Sequence, residues 1–287
     1  MNSEAARQRI DGNSDQDGGQ QGVVRHYDAS YSNFASALYQ DIRREAFGED
    51  IGQNSWLSAG EYDAFLDWLG VSPGMRVLDV GCGSGGPALR LARRAGCEVL
   101  GIDIHEQAVR YATLLATRQG LGRVARFQVV DAGGPLPFAA GSFDAVVCID
   151  SINHFPDRGA VFREWTRVLK PRGRALFTDP VVVTGPLSKA EIAARSSTGF
   201  FLYVPPGCDE RLAAGAGLAV VRAEDVTDNM AEIATRWRAA RQRRAPLLGQ
   251  VEGVPTFEAQ QEFFRIAEIT ARERRLSRFA YLAARRA

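Results

Sequence analysis

The chain has 287 residues, 45% hydrophobic and 24% charged, with a formal net charge of +1. That length suits one large domain with an accessory layer, and the mixture is that of an ordinary globular protein. The balanced charge supplies no bulk field for nucleic acid or an anionic membrane, and no apolar run is long enough to span a bilayer.

Residues 1–22 are rich in Gln, Asn, Asp, Ser and Gly, which predicts a flexible tail. They lack the basic-then-apolar layout of a secretory signal, so a cytoplasmic setting is expected. Residues 23–70 are expected to form a helical cap. Tyr27, Tyr31, Phe34, Tyr39 and Phe47 fall near helical spacing. They either pack on the domain or close over a bound ligand. A polar loop carrying Ser55 and Trp56 follows. Ser58 and Glu61 have the spacing of a capping box, and the helix they open buries Tyr62, Phe65, Leu66 and Leu69. Pro73-Gly74 turns the chain into a main domain, 71–287.

That domain opens with Val77-Leu78-Asp79-Val80-Gly81-Cys82-Gly83-Ser84-Gly85-Gly86. An amphipathic helix follows, then Val99-Leu100-Gly101-Ile102-Asp103-Ile104. Apolar run, glycine loop, helix and a second run ending in an acid form a βαβ unit. Such a unit binds a nucleoside-containing cofactor across the carboxyl ends of its strands. Gly81, Gly83 and Gly85 leave room for a ligand against bare main chain. Asp79 can accept from an ammonium group, and Asp103 can hold both hydroxyls of a ribose. Gly81, Gly83 and Gly86 also fit the dinucleotide fingerprint G-x-G-x-x-G, and a merely glycine-rich turn is a further alternative. Asp79 favours a cationic, methionine-like group over a pyrophosphate, which it would repel. Cys82 reads as a small residue that fits the loop. The cysteines at 82, 97, 148 and 208 form no CxxC pair, so neither a zinc site nor a disulfide framework is expected.

Residues 77–85 resemble the first motif of the class I S-adenosylmethionine-dependent methyltransferases, and Asp103 resembles that family's ribose-binding acid. The resemblance is strong over 74–180. It implies an α/β, doubly wound, mostly parallel seven-stranded sheet whose last strand is antiparallel. It also implies S-adenosyl-L-methionine as cofactor and methyl transfer from its sulfonium. Ile104 joins the binding residues beside Asp103. By the same resemblance Asp131 and Ala132 meet the adenine, and Ser55 and Trp56 touch the cofactor's amino-acid end.

A helix is predicted over 106–119, stopped by Gly120, and a third strand over 124–130. Asp131 at its end either meets the ligand or caps a turn. Residues 145–149 read as a central strand buried on both faces. Its tip neighbours the first strand across the reversal of strand order, so Asp150, Asn153 and His154 are the polar residues best placed for chemistry. Asp150 is assigned to both cofactor binding and catalysis. His154 is either a base or a structural hydrogen-bonding residue. The next helix carries Val161, Phe162, Trp165, Val168 and Leu169 and is expected to end at Pro171-Arg172-Gly173. A fifth strand over 174–179 ends at Pro180, with Asp179 facing the pocket or capping the turn.

Beyond a helix over 188–197, the aromatics of 199–206 form a lid, a pocket wall or ordinary packing. A helix over 209–216 and a strand over 218–226 follow, then a helical insertion over about 229–273 and a final strand over 276–282. Arg236, Arg238, Arg241, Arg243 and Arg244 form either a solvated face or a phosphate site.

The function read from these features is methyl transfer from S-adenosyl-L-methionine to a small-molecule acceptor in an enclosed pocket, through nitrogen, oxygen or carbon. The alternatives are an NAD-dependent oxidoreductase using Gly81, Gly83 and Gly86, and a non-catalytic cofactor-binding regulator. No metal, nucleic-acid or membrane partner is expected, and the oligomeric state is open.

Overall fold

A computed structural model describes residues 33–286; the tail expected over 1–22, and Tyr27 and Tyr31, lie outside them. The sheet has seven strands: β1 (Arg76–Val80), β2 (Glu98–Asp103), β3 (Ala125–Val129), β4 (Phe143–Cys148), β5 (Leu169–Val183), β6 (Leu218–Asp225) and β7 (Leu276–Arg285). Their spatial order is β3-β2-β1-β4-β5-β7-β6. Only β7 runs antiparallel to its neighbours. The order reverses between β1 and β4, so the loops after these strands diverge and open a crevice.

The helices are α1 (Ala37–Phe47), α2 (Ala59–Leu69), α3 (Gly86–Ala95), α4 (Glu106–Arg118), α5 (Arg158–Val168), α6 (Lys189–Arg195), α7 (Cys208–Gly215), α8 (Thr227–Gln242), α9 (Ala245–Val251) and α10 (Val254–Arg272). Tyr62, Phe65 and Leu66 of α2 join Leu89 and Leu91 of α3 over one face of the sheet. Phe162 and Trp165 of α5 cover the other with Val146 and Phe177. Both faces being covered explains the apolar residues at 77, 78 and 80 of β1 and 145–148 of β4.

The expected cap over 23–70 divides in two. Helix α2 belongs to the sheet layers, whereas Ala46 and Phe47 of α1 pack on Met230 and Ile233 of α8 and Phe263 and Phe264 of α10. Ser36 caps α1, its hydroxyl accepting from the Tyr39 amide. The insertion is the three helices α8, α9 and α10. With α1 they form a second body above the carboxyl edge of the sheet. Among the described residues no helix is long and apolar enough to cross a membrane.

Three local expectations are corrected. Helix α5 ends at Val168, not at Pro171-Arg172-Gly173: Leu169 is already extended, and Arg172 takes a positive φ of 65° in a bulge of β5. Strand β5 does not stop at Pro180. It runs to Val183, because the missing proline amide falls where the β5–β7 register shifts, between Asp179 and Val182. The Ser58–Glu61 pair is half a capping box. Ser58 accepts from the Glu61 amide, but the Glu61 carboxylate turns away to Arg278 and Asn229.

Candidate active site

The crevice holds a cavity of about 170 Å3. Its floor is the glycine loop between β1 and α3. Gly81 has φ +71°, and a Cβ there would stand 2.5 Å from Ser151 Oγ. Only glycine lets this loop pass so close to the tip of β4. Asp79, Gly81, Cys82, Gly83, Asp103, Ile104, Asp131, Ala132, Asp150 and Ser55 all line the cavity. Gly85 does not. It adopts φ +79° to start α3, and a Cβ there would press on Ala112 and Phe127. Gly86 is likewise a packing glycine, for a Cβ there would collide with the Ile51 carbonyl oxygen. Ser84 Oγ donates to the Gly52 carbonyl, fastening residues 51–52 to the start of α3.

Asp79 is 4% exposed, and no described side chain or amide bonds its carboxyl. Burial, and then the charge of Asp103, push its pKa up to about 7. A buried carboxyl of this kind lacks a cation. Asp103 is also raised by burial, although the amides of Gly83 (2.8 Å) and His105 (2.9 Å) donate to it. Asp131 stands at the rim, where it caps a turn by accepting from the Gly133 amide at 2.8 Å.

A second cavity of about 410 Å3 adjoins the first, beneath α1, α8 and α10. Asn54, Ser55, Asp150 and His154 line both and form their common wall. Trp56 belongs to the second cavity rather than to the crevice. Its ring lies against Phe263 and Phe264, with centroids 6.0 and 6.1 Å away. Phe201, from the stretch 199–206, completes that wall and packs on His154 at 4.9 Å. His154 Nδ1 lies 2.9 Å from the Phe200 carbonyl, which can only accept, so Nδ1 carries the proton. Nε2 is then the basic nitrogen, 3.4 Å from Asn153 Nδ2. Burial lowers the imidazole to about 4, so it is neutral at physiological pH.

A family profile described as "Methyltransferase domain" matches residues 71–234. Methyltransferase GfsG of Streptomyces halstedii is 36% identical over 171 residues, covering 56% of this chain and 60% of that protein. The chain thus spans less than two thirds of that relative. The 27-O-demethylrifamycin SV methyltransferase of Amycolatopsis mediterranei is 32% identical over 201 residues, 66% of this chain and 74% of that one. The chain belongs to the class I S-adenosylmethionine-dependent methyltransferases. The solved structure of a Galdieria sulphuraria sarcosine dimethylglycine methyltransferase shares the methyltransferase fold, at TM-score 0.77, 21% identity and coverage of 91% of this chain and 98% of the other.

Asp150 lines both cavities and is tied into a hydrogen-bond network. Its carboxylate accepts from Thr178 Oγ1 (2.6 Å), Arg278 Nε (2.8 Å) and the Trp56 amide (2.8 Å). These bonds fix the carboxylate in the wall, where the backbone takes φ +51°. Arg278, fully buried, also bonds Glu61 at 2.7 Å, and Asn229 joins Glu61 to the Trp56 carbonyl. This network ties the common wall to α2, β5, β7 and α8. Asp179 faces no cavity. It shares Arg158 with Asp209 at 2.6 and 2.7 Å, and burial beside Asp209 pushes it up to about 8. Ser151, His105 and Phe155 line the crevice and were not singled out from sequence. Their only sequence signal is position just past a strand end.

Proposed function

We propose that this chain transfers a methyl group from S-adenosylmethionine to an oxygen nucleophile of a small molecule held in the aromatic chamber. One observation carries the reading: the glycine-loop crevice and the larger chamber share a wall that bears His154. The residues present fit the donor. Asp79 is a buried carboxyl suited to a cation, and the main chain at Gly81 and Gly83 lines the crevice beside it. Asp79 would accept from the donor's ammonium, Asp103 from its ribose hydroxyls, and Asp131 with Ala132 would meet its adenine. When bound, the donor supplies a methyl group on a positively charged sulfur.

What remains for the chain is to align the acceptor, keep water out and accept a proton. Alignment by aromatic walls can remove several kcal/mol from the barrier. A hydroxyl must lose its proton as it attacks, and His154 Nε2 is the basic nitrogen on the common wall. The Phe200 carbonyl fixes the tautomer that leaves Nε2 as the acceptor, and burial keeps the ring neutral while making it less basic.

Thermal melting with S-adenosylhomocysteine and with NAD tests the donor assignment. Stabilisation by NAD alone would overturn it in favour of the oxidoreductase. Mass spectrometry of a metabolite pool incubated with isotopically labelled donor tests the transfer. Labelled O-methyl products are expected; an intact donor after exhaustive incubation supports a regulator instead.

A further inference from the structure

We propose that the acceptor is an uncharged amphipathic molecule whose remote hydroxyl or carbonyl oxygen is read by Tyr39, Arg241 and Glu252. The inference rests on the methyltransferase reading and deepens it. Trp56, Phe201, Trp237, Phe263 and Phe264 give the chamber an aromatic side, set against polar groups such as Asn33, Thr198, Thr256 and Gln260. The charged side chains on that wall cancel within the protein. Arg43 donates from Nε to Asp50 at 3.0 and 3.1 Å, Arg241 pairs with Glu252, and Asp150 pairs with Arg278. Each arginine that lines the chamber has an acid partner; Arg195 lies behind the wall, stacked on Phe263 at 4.4 Å and on Trp56 at 5.4 Å. A phosphate entering this space would be stripped of water beside the Glu252 and Asp150 carboxylates, with no cation to repay it. The arginine cluster of α8 offers no substitute. Arg243 and Arg244 bind Glu45, and Arg238 binds Glu268.

The polar site is built where three helices meet. Tyr39 comes from α1, Arg241 from α8, and Glu252 from the junction of α9 and α10. The Tyr39 hydroxyl donates to Glu252 Oε2 at 2.6 Å, and Arg241 Nη2 donates to Oε1. The Arg241 and Glu252 side chains are 1% and 7% exposed. Among the described residues, Arg241 Nε is buried without a hydrogen-bond partner, while the guanidinium also leans on the Tyr39 oxygen. With its proton committed to Glu252, the Tyr39 oxygen is an acceptor that keeps a lone pair beyond the one facing Arg241. The cluster therefore retains both a donor and an acceptor for a neutral oxygen function. Thr256 and Gln260 line the same chamber and extend this polar end.

The test uses the full chain saturated with S-adenosylhomocysteine and follows the fluorescence of Trp56 and Trp237, which line the chamber. Dodecan-1-ol and dodecyl phosphate are the probes, one neutral and one anionic on the same skeleton. Dodecan-1-ol should bind at least about tenfold more tightly. Tyr39→Phe and Glu252→Gln should each weaken dodecan-1-ol binding by roughly tenfold, the worth of one hydrogen bond to a charged network. The melting shift given by S-adenosylhomocysteine should persist in both variants. Equal or tighter binding of dodecyl phosphate overturns the proposal, as does unchanged dodecan-1-ol affinity in both folded variants. If either variant fails to fold, the comparison of probes on the unmodified chain still decides. Absence of any S-adenosylhomocysteine shift would instead remove the methyltransferase reading, and the probe ratio would still report on the chamber.

Discussion

Lowering the pH from 7 to 5 should weaken S-adenosylhomocysteine binding about fifty-fold. Burial and the neighbouring Asp103 push the Asp79 carboxyl of the unliganded protein up to about 7. An ammonium partner would return it to the ordinary carboxylate range, about 4. At pH 7 about half the unliganded molecules then carry an ionised Asp79, and at pH 5 about one in a hundred, from the same linkage. That ratio corresponds to about 2.3 kcal/mol. The sign separates binding from unfolding. A carboxyl raised by folding costs stability as pH climbs through about 4 to 7, so acidification to pH 5 relieves this group rather than unfolding the protein. His154, pushed down to about 4, stays neutral across most of the window. Isothermal titration calorimetry at pH 5, 6 and 7, in buffers of different ionisation heat, gives both affinity and proton release. About 0.9 proton should leave per complex at pH 6. Asp79→Asn should bind weakly at pH 7 and lose most of the pH dependence. The same slope in Asp79→Asn, or a flat profile in the native chain, would refute the assignment.

Three further outcomes are expected. His154→Ala should lower turnover by about 10²- to 10⁴-fold, the usual worth of a positioned proton acceptor, while calorimetry finds S-adenosylhomocysteine affinity unchanged; retained turnover would restrict the imidazole to a structural role. Arg278→Met strands Asp150 and Glu61 in the interior and should cost about 3–5 kcal/mol of stability in urea unfolding; a change under 1 kcal/mol would mean that the network is not the tie described. Asp179 is raised to about 8, so its ionisation costs stability as pH climbs from about 4 through 8. Asp179→Asn should therefore narrow the fall in melting temperature between pH 6 and 9, as followed by circular dichroism.

The sheet was legible because its signals are local. The apolar run 77–80, the glycines after it and Asp103 declare a strand, a turn and a strand end within one continuous stretch. Strand-end positions brought Asp79, Asp103, Asp131 and His154 to the crevice for the same reason. What sequence could not carry were contacts closed over long separations. Nothing near Glu61 announces that its carboxylate leaves the cap for Arg278, 217 residues away. Nor does anything near Asp150 announce that its carboxylate is held by Thr178, Arg278 and the Trp56 amide. The family resemblance assigns Trp56 to the donor's amino-acid end, but its ring packs with the aromatics of α10 on the chamber side. Gly85 and Gly86 read as ligand-facing because one-letter patterns do not distinguish a glycine beneath a ligand from one beneath a neighbouring side chain or carbonyl.

The bare Cα of Gly86 has a consequence for evolution at this locus. Residues 51–52 lean on it, and two residues further on Asn54 and Ser55 belong to the wall shared by the crevice and the chamber. Even a methyl group at position 86 would shove that wall sideways, shrinking one cavity as it distorts the other. The two apparent Michaelis constants should then drift in step, so selection for a bulkier acceptor cannot act through this position without taxing the donor.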